Sequence, residues 1–228
     1  MKRAILLDAL GTLLELEPPA PALRRELRDR FDLEIGGPAA ATAIAAEIAF
    51  YREHLQEGRD RSALVGLRRQ CTEVLREALG EPAAGLPPTE LQAALMASLR
   101  FRPYPEVIGA LSRLRAAGLR LVVVSDWDCS LHDRLAECGI AARVNGIITS
   151  AELGARKPSA AIFAHALTIA GVPAADTLHV GDSPREDVAG ARAVGIEPVL
   201  IVRARISAPA PRAVRTIRSL AELPQLAA

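Results

Sequence analysis

The stretch TLHVGDSPREDVAGARAVGIEPVLIV, residues 177–202, holds two apolar, β-rich runs with a helix-period segment between them. The first run, TLHVG at 177–181, ends on a glycine, and Asp182 follows it into a turn. Ser183, Pro184 and Glu186 then supply N-cap, first-turn and third-position chemistry in order, so a helix is predicted to start after Ser183 with Asp187 in its first turns. The helical period stops at Gly195-Ile196, the pattern of a left-handed C-cap and its apolar partner. The chain then returns to strand at EPVLIV, 197–202. Two strands joined by a helix of this length pair in parallel.

The same glycine junction recurs at Gly118-Leu119, Gly139-Ile140 and Gly171-Val172, near the β-rich runs LRLVVVS (119–125) and VNGIIT (144–149). With RAILLD at 3–8 there are five candidate strands, alternating with helices of about ten residues, as in a doubly wound α/β parallel sheet covered on both faces. Between about residue 15 and residue 101 strand runs vanish. Four helix-period stripes take over: Leu23, Leu27 and Phe31; Ile44, Ile48 and Leu55; Leu64, Leu67, Cys71, Val74 and Leu75; Leu91, Leu95 and Leu99. Thr89 and Gln92 have capping-box spacing for the last. The expected organisation is an α/β core of residues 1–14 plus 102–228, with an all-helical domain, 15–101, inserted after the first strand.

Lys and Arg number 28 against 27 Asp and Glu, with no block of one sign, which argues against a nucleic-acid or membrane-surface footprint. An aromatic content of 3% likewise supplies no stacking platform for bases. The implied partner is a small molecule, and nothing in the sequence reads on oligomeric state. Cys71, Cys129 and Cys138 are odd in number and lack metal-ligand spacing, so reduced thiols in a cytoplasmic protein are expected. The start MKRAILLDALG imitates a signal peptide, but Asp8 interrupts its apolar stretch, and no apolar run reaches membrane-spanning length.

Ligands of open parallel sheets bind outside the carboxyl ends of the strands. Asp8 stands there after the first strand, Ser125 and Asp126 after LVVV, and Asp182 and Ser183 after TLHVG. If the first and fourth candidate strands are neighbours, Asp8 and Asp182 meet at one point, a site for Mg²⁺ with water and substrate oxygens completing its sphere. Lys157, before Pro158 and the candidate N-cap Ser159, lies on a loop from which a lysine can pair with a carboxylate and a phosphate oxygen, or, taken alone, stand as a solvated surface side chain. The helical insertion leaves beside Asp8 and is a candidate lid.

The order Asp8-x-x-Gly11-Thr12-Leu13, Ser125 after an apolar strand, Lys157-Pro158, and Gly181-Asp182 with Asp187 resembles the haloacid dehalogenase-like hydrolase superfamily. The resemblance spans most of the chain. It implies a Rossmann-like core with a helical cap of the type designated C1, as in the phosphatases, dehalogenases and phosphonatases of that group. By it, Asp8 would attack phosphorus and become an aspartyl-phosphate, and Ser125 and Lys157 would hold the non-bridging oxygens. Mg²⁺ would lie among Asp8, the Leu10 carbonyl and Asp182, with Asp187 supporting Lys157 or a metal-bound water. A carboxylate is a weak nucleophile that phosphate repels, so the cation and lysine have a physical purpose.

Leu10 departs from the pattern, because phosphatases of this type carry there an Asp that protonates the leaving alkoxide and later activates water. General acid–base help is worth about 10²- to 10⁴-fold, or about 3 to 5 kcal/mol of barrier. Three readings follow. A Mg²⁺-dependent phosphohydrolase would need a substrate with a good leaving group, such as an acyl phosphate, or an acid from elsewhere; Asp126, Asp128 and His132 are the nearest. A 2-haloacid dehalogenase-like enzyme, in which Asp8 attacks carbon, needs no acid, yet such enzymes need no Mg²⁺ and usually lack the Gly181-Asp182 pair. A non-catalytic phosphate- or partner-binding protein would leave the retained Asp8, Lys157, Asp182 and Asp187 unexplained. His179 reads as a core or sheet-face histidine, Trp127 as a plug or a pocket wall, and Tyr51, Arg52, His54 and Arg59 as substrate-selecting side chains of the insertion.

Overall fold

A computed structural model of the chain describes residues 2–203 and 214–227. It divides into two compact units, Met1–Glu15 with Arg102–Ala228, and Leu16–Phe101. Strand β1 (Ala4–Leu7) is followed by the short β2 (Leu14–Leu16), which pairs with β3 (Phe101–Pro103). The remaining strands are β4 (Arg120–Ser125), β5 (Gly146–Thr149), β6 (Thr177–Gly181), β7 (Glu197–Ile201) and β8 (Arg215–Ile217). With β1 they form a parallel sheet in the order β5-β4-β1-β6-β7-β8. The fold is therefore the expected Rossmann-like α/β architecture. Five of its six strands are the expected ones, and β8, at the edge opposite β5, is an addition.

The second unit contains α1 (Pro19–Phe31), α2 (Gly37–His54), α3 (Arg61–Leu79), α4 (Glu81–Ala84) and α5 (Pro88–Ser98). Leu23 and Leu27 of α1, Ile44 of α2, Leu64, Leu67, Cys71 and Leu75 of α3, and Leu91 and Leu95 of α5 are buried, and α2 packs on α3 as α1 does on α5. Asp60 caps α3, its Oδ1 accepting from the N–H groups of Ser62 and Ala63 at 2.9 Å each. The expected Thr89–Gln92 box does not form. Pro88, with its preset φ, takes the first helical position, so Pro87 becomes the N-cap and Thr89 falls inside the helix. Glu47 of α2 is buried against the Cys71 thiol, and desolvation pushes its carboxyl up to about 7.

Helices α6 (Val107–Ala116), α7 (Leu131–Glu137), α8 (Ser150–Leu153), α9 (Ala160–Ala170), α10 (Gly190–Ala193) and α11 (Leu223–Ala227) belong to the sheet unit. Ala4 and Leu6 of β1, Val122 and Val124 of β4 and Ile148 of β5 pack on Ile162, Phe163 and Ala166 of α9. Alternate residues Ile5, Leu7, Leu121 and Val123 are buried on the other face, as the two-residue period of a strand requires. Gly195 ends its helix at φ 77°, and the N–H of the buried Ile196 reaches back to the Ala191 carbonyl at 3.0 Å. Gly118, Gly139 and Gly171 also have positive φ.

Register delivers the site. Leu7 is paired with Val123 on one side and Val180 on the other, so the residues that follow β1, β4 and β6 emerge together at the carboxyl edge.

Candidate active site

Asp8 is fixed as it leaves β1 by donating its N–H to the Val180 carbonyl at 2.9 Å. The chain then folds into a tight turn in which the N–H groups of Leu13 and Leu14 share the Ala9 carbonyl, 2.8 Å each. Gly11 adopts φ 81° within it, and a Cβ there would lie 2.2 Å from Asp182 Oδ2. Glycine is thus required twice over, once by the backbone and once by the carboxylate lying against it. Leu10 is half-buried on this turn.

Ser183 is the N-cap predicted for it, its Oγ accepting from the Glu186 N–H at 3.1 Å. The first turn behind it, Pro184–Ala189, is a π-helix in which the N–H groups of Asp187 and Val188 both reach the Ser183 carbonyl, at 3.0 and 3.1 Å. Wide turns of this kind recur at functional sites. Here the turn directs the Asp187 carboxylate back over the end of β6, where a Cβ on Gly181 would stand 2.1 Å from its Cγ.

Lys157 reaches into this space from the loop before α9, and its backbone N–H is tied to Asp126 Oδ1 at 2.9 Å. Its Nζ donates to Asp8 Oδ1 at 2.6 Å and to Asp187 Oδ1 at 2.7 Å. All three residues are at most 5% exposed. The Ser125 hydroxyl makes a longer bond to Asp8 Oδ1, 3.4 Å. Carboxylate oxygens of Asp8, Asp182 and Asp187 lie within 4.8 Å of one another.

Burial raises the Asp8 carboxyl above its ordinary value, opposed by the Lys157 charge and reinforced by that of Asp187. Burial acts on Asp187 in the same direction, but the Lys157 charge and a hydrogen bond from His179 outweigh it and hold that carboxyl well below the usual range. Lys157 is pushed up by its two partners in spite of desolvation, and so stays an ammonium. Asp182 presents surface to solvent, yet crowding by protein on its inner side, with the charges of Asp8 and Asp187, lifts its carboxyl to about 7. One buried lysine against three acids leaves an excess of negative charge. That donor set suits a hard, oxygen-liganded divalent cation.

The structure thus brings together Asp8, Ser125, Lys157, Asp182 and Asp187. The three candidate substitute acids have other partners: Asp126 takes the Lys157 N–H, Asp128 Oδ1 the Ser130 N–H at 2.7 Å, and His132 pairs with Glu152 at 2.8 Å. Trp127 is buried, at 6% exposure. In the helical unit His54 stacks on Phe50, and Arg59 pairs with Asp60 at the surface. The residue missed is His179, whose Nε2 lies 2.9 Å from Asp187 Oδ1. Its signal was a polar residue inside an otherwise apolar strand, two positions before Gly181.

An open parallel sheet that gathers a buried aspartate, a lysine and further carboxylates at its carboxyl edge defines an α/β enzyme built on a carboxylate–lysine centre. The chain belongs to the haloacid dehalogenase-like hydrolase family, whose model matches residues 2–195. It is a hydrolase. Phosphoserine phosphatase of Thermus thermophilus is 31% identical over 222 residues, covering 88% of this chain and 89% of the relative. Among solved structures, a HAD phosphatase from Thermococcus onnurineus superposes with a TM-score of 0.67 at 24% identity, over 98% of this chain and 97% of the other. A 2-haloacid dehalogenase from Pseudomonas syringae does so with a TM-score of 0.67 at 23% identity, over 99% and 98%. These two likenesses show the fold. Among the described residues no helix is long and apolar enough to cross a membrane.

Proposed function

We propose that the chain is a Mg²⁺-dependent phosphohydrolase that acts on a small phosphorylated molecule through an aspartyl-phosphate on Asp8. The observation that carries this reading is the buried Lys157 ammonium shared between Asp8 and Asp187 beside a third carboxylate, Asp182. That the Thermus relative is a phosphoserine phosphatase supports the same choice.

In this reading Asp8 attacks phosphorus in line, while Lys157 and Ser125 hold the non-bridging oxygens and draw off developing charge. Asp8, Asp182 and the Leu10 carbonyl would hold the cation. Asp187, whose Oδ1 is engaged by Lys157 and His179 and whose Oδ2 accepts from the Ser183 N–H at 3.0 Å, acts from behind by fixing Lys157. When bound, Mg²⁺ supplies positive charge against the repulsion between phosphate and Asp8. The Leu10 side chain carries no proton, so the leaving group must depart as a stable anion, which favours acyl phosphates over alkyl phosphates. The helical unit serves as the cap that selects the substrate.

Leu10 also favours a second reading, hydrolysis of a 2-haloacid, since halide needs no proton. Incubation with acetyl phosphate and with 2-chloropropionate, with and without Mg²⁺, separates the two. Mg²⁺-dependent phosphate release that disappears in Asp8→Asn supports the proposal; chloride release independent of Mg²⁺ replaces it with the second reading. Binding of phosphate without release of either product would indicate a protein that has lost turnover.

A further inference from the structure

His179 is wholly buried, yet it is polar on both edges. One edge has a partner: Nε2 meets Asp187 Oδ1 at 2.9 Å. The other does not, for Nδ1 has no hydrogen-bond partner among the described residues. The ring is held in place by the edge of Phe163, at 90° and 5.1 Å between centroids, and Gly190 lets Phe163 approach so closely that a Cβ there would stand 2.6 Å from it. A leucine would fill such a place without leaving a nitrogen unmatched. The imidazole is therefore matched to one neighbour, Asp187.

The two nitrogens also settle the tautomer. Asp187 Oδ1 is an acceptor, so Nε2 must carry hydrogen, and a bare lone pair at Nδ1 is the less costly group to leave among apolar side chains than an unpaired N–H. Asp187 Oδ1 then receives two donors, His179 Nε2 and Lys157 Nζ, while Oδ2 receives the Ser183 N–H. Asp187 is thus immobilised on both oxygens. A carboxylate fixed this way fixes where Lys157 Nζ sits, shared between Asp187 at 2.7 Å and Asp8 at 2.6 Å.

We propose that His179 is a positioning residue for the reaction: through its Nε2–H it locks Asp187, which sets how Lys157 is shared between Asp187 and Asp8. This rests on the phosphohydrolase reading for its kinetic consequence, though not for its geometry. The expected effect is on the phosphorylation step. By analogy with groups that orient metal ligands, loss of the imidazole should slow it by about 10- to 100-fold. Substrate affinity should hardly change, because His179 touches no substrate.

The test compares His179→Leu with His179→Gln, whose side-chain amide nitrogen can replace Nε2 as a donor. The readouts are the rate constant of the p-nitrophenolate burst from p-nitrophenyl phosphate at saturation, the half-saturating concentration, and the thermal midpoint. Expected are a slow burst with unchanged half-saturation in the Leu variant, which still unfolds cooperatively but at a somewhat lower midpoint because buried Asp187 loses a donor, and recovery of most of the rate in the Gln variant. A Leu variant as fast as wild type, or a Gln variant as slow as a folded Leu variant, overturns the proposal. If neither wild type nor variants turn over, the phosphohydrolase reading fails by itself. Long-range ¹H–¹⁵N correlation spectra of His179 in the wild-type protein then judge the geometry: hydrogen on Nε2 upholds the lock, and hydrogen on Nδ1 alone overturns it.

Discussion

Replacing Lys157 with Met keeps the apolar stem and removes the ammonium that lies 2.6 Å from Asp8 and 2.7 Å from Asp187. Three carboxylates within 4.8 Å of one another are then left without their buried cation. Removing one partner of a buried ion pair costs about 3–5 kcal/mol, and that is the destabilisation expected at pH 8. The loss should shrink on acidification. In the variant the clustered carboxyls have folded-state pKa values raised above those of the unfolded chain, so the native state takes up protons first and its stability rises as pH falls. In the wild-type protein Asp187 is held low, so its contribution is present above the ordinary carboxylate range and lost only as pH falls through and below it. The two curves therefore converge towards pH 5. Urea unfolding followed by fluorescence of Trp127, the sole tryptophan and a buried one, reports on the sheet unit directly. Millimolar Mg²⁺ should restore part of the loss by binding the native cluster. A loss that is independent of pH, or no loss at all, would refute the view that Lys157 neutralises this centre.

Glu47 offers a second stability test, in the helical unit. Its displacement from 4.5 to about 7 corresponds to about 3 kcal/mol of cost when ionised, so the folded state retains a proton that the unfolded chain gives up. Wild-type stability should fall as pH rises across that window, and Glu47→Gln should flatten the dependence, as measured by far-ultraviolet circular dichroism in urea at several pH values. Leu10→Asp should restore the missing acid: alkyl phosphate hydrolysis rises by about 10²- to 10⁴-fold, while the p-nitrophenolate burst changes little. An equal gain on both substrates would mean that the aspartate acts through binding instead.

The sheet was readable because strands buried on both faces appear as near-continuous apolar runs, as in AILL and LVVV, separated by helices that stop at glycine. Strand β8 carries one buried residue in three, and β2 and β3 are three residues each, too short for periodicity to register. The site residues were legible from their positions at strand ends and from the family pattern. The π-turn was not, since Ser183-Pro184 announces a helix start but says nothing of whether Val188 bonds four or five residues back. His179 is the buried strand histidine its position implies, but a strand position alone does not reveal that a side chain eight residues later, Asp187, folds back to meet it. Equally, Thr89 and Gln92 had capping-box spacing, and the adjacent Pro88 displaced them.

The most direct measurement is a rapid-mix time course of p-nitrophenolate release from p-nitrophenyl phosphate with Mg²⁺, run beside Asp8→Asn. That leaving group departs without a general acid, so the assay reads the nucleophile independently of Leu10. A burst of about one equivalent followed by a slow phase, absent from Asp8→Asn, is the predicted result, with the Asp8 acyl-phosphate accumulating because Leu10 gives no help to water. Release no faster than in Asp8→Asn would contradict it.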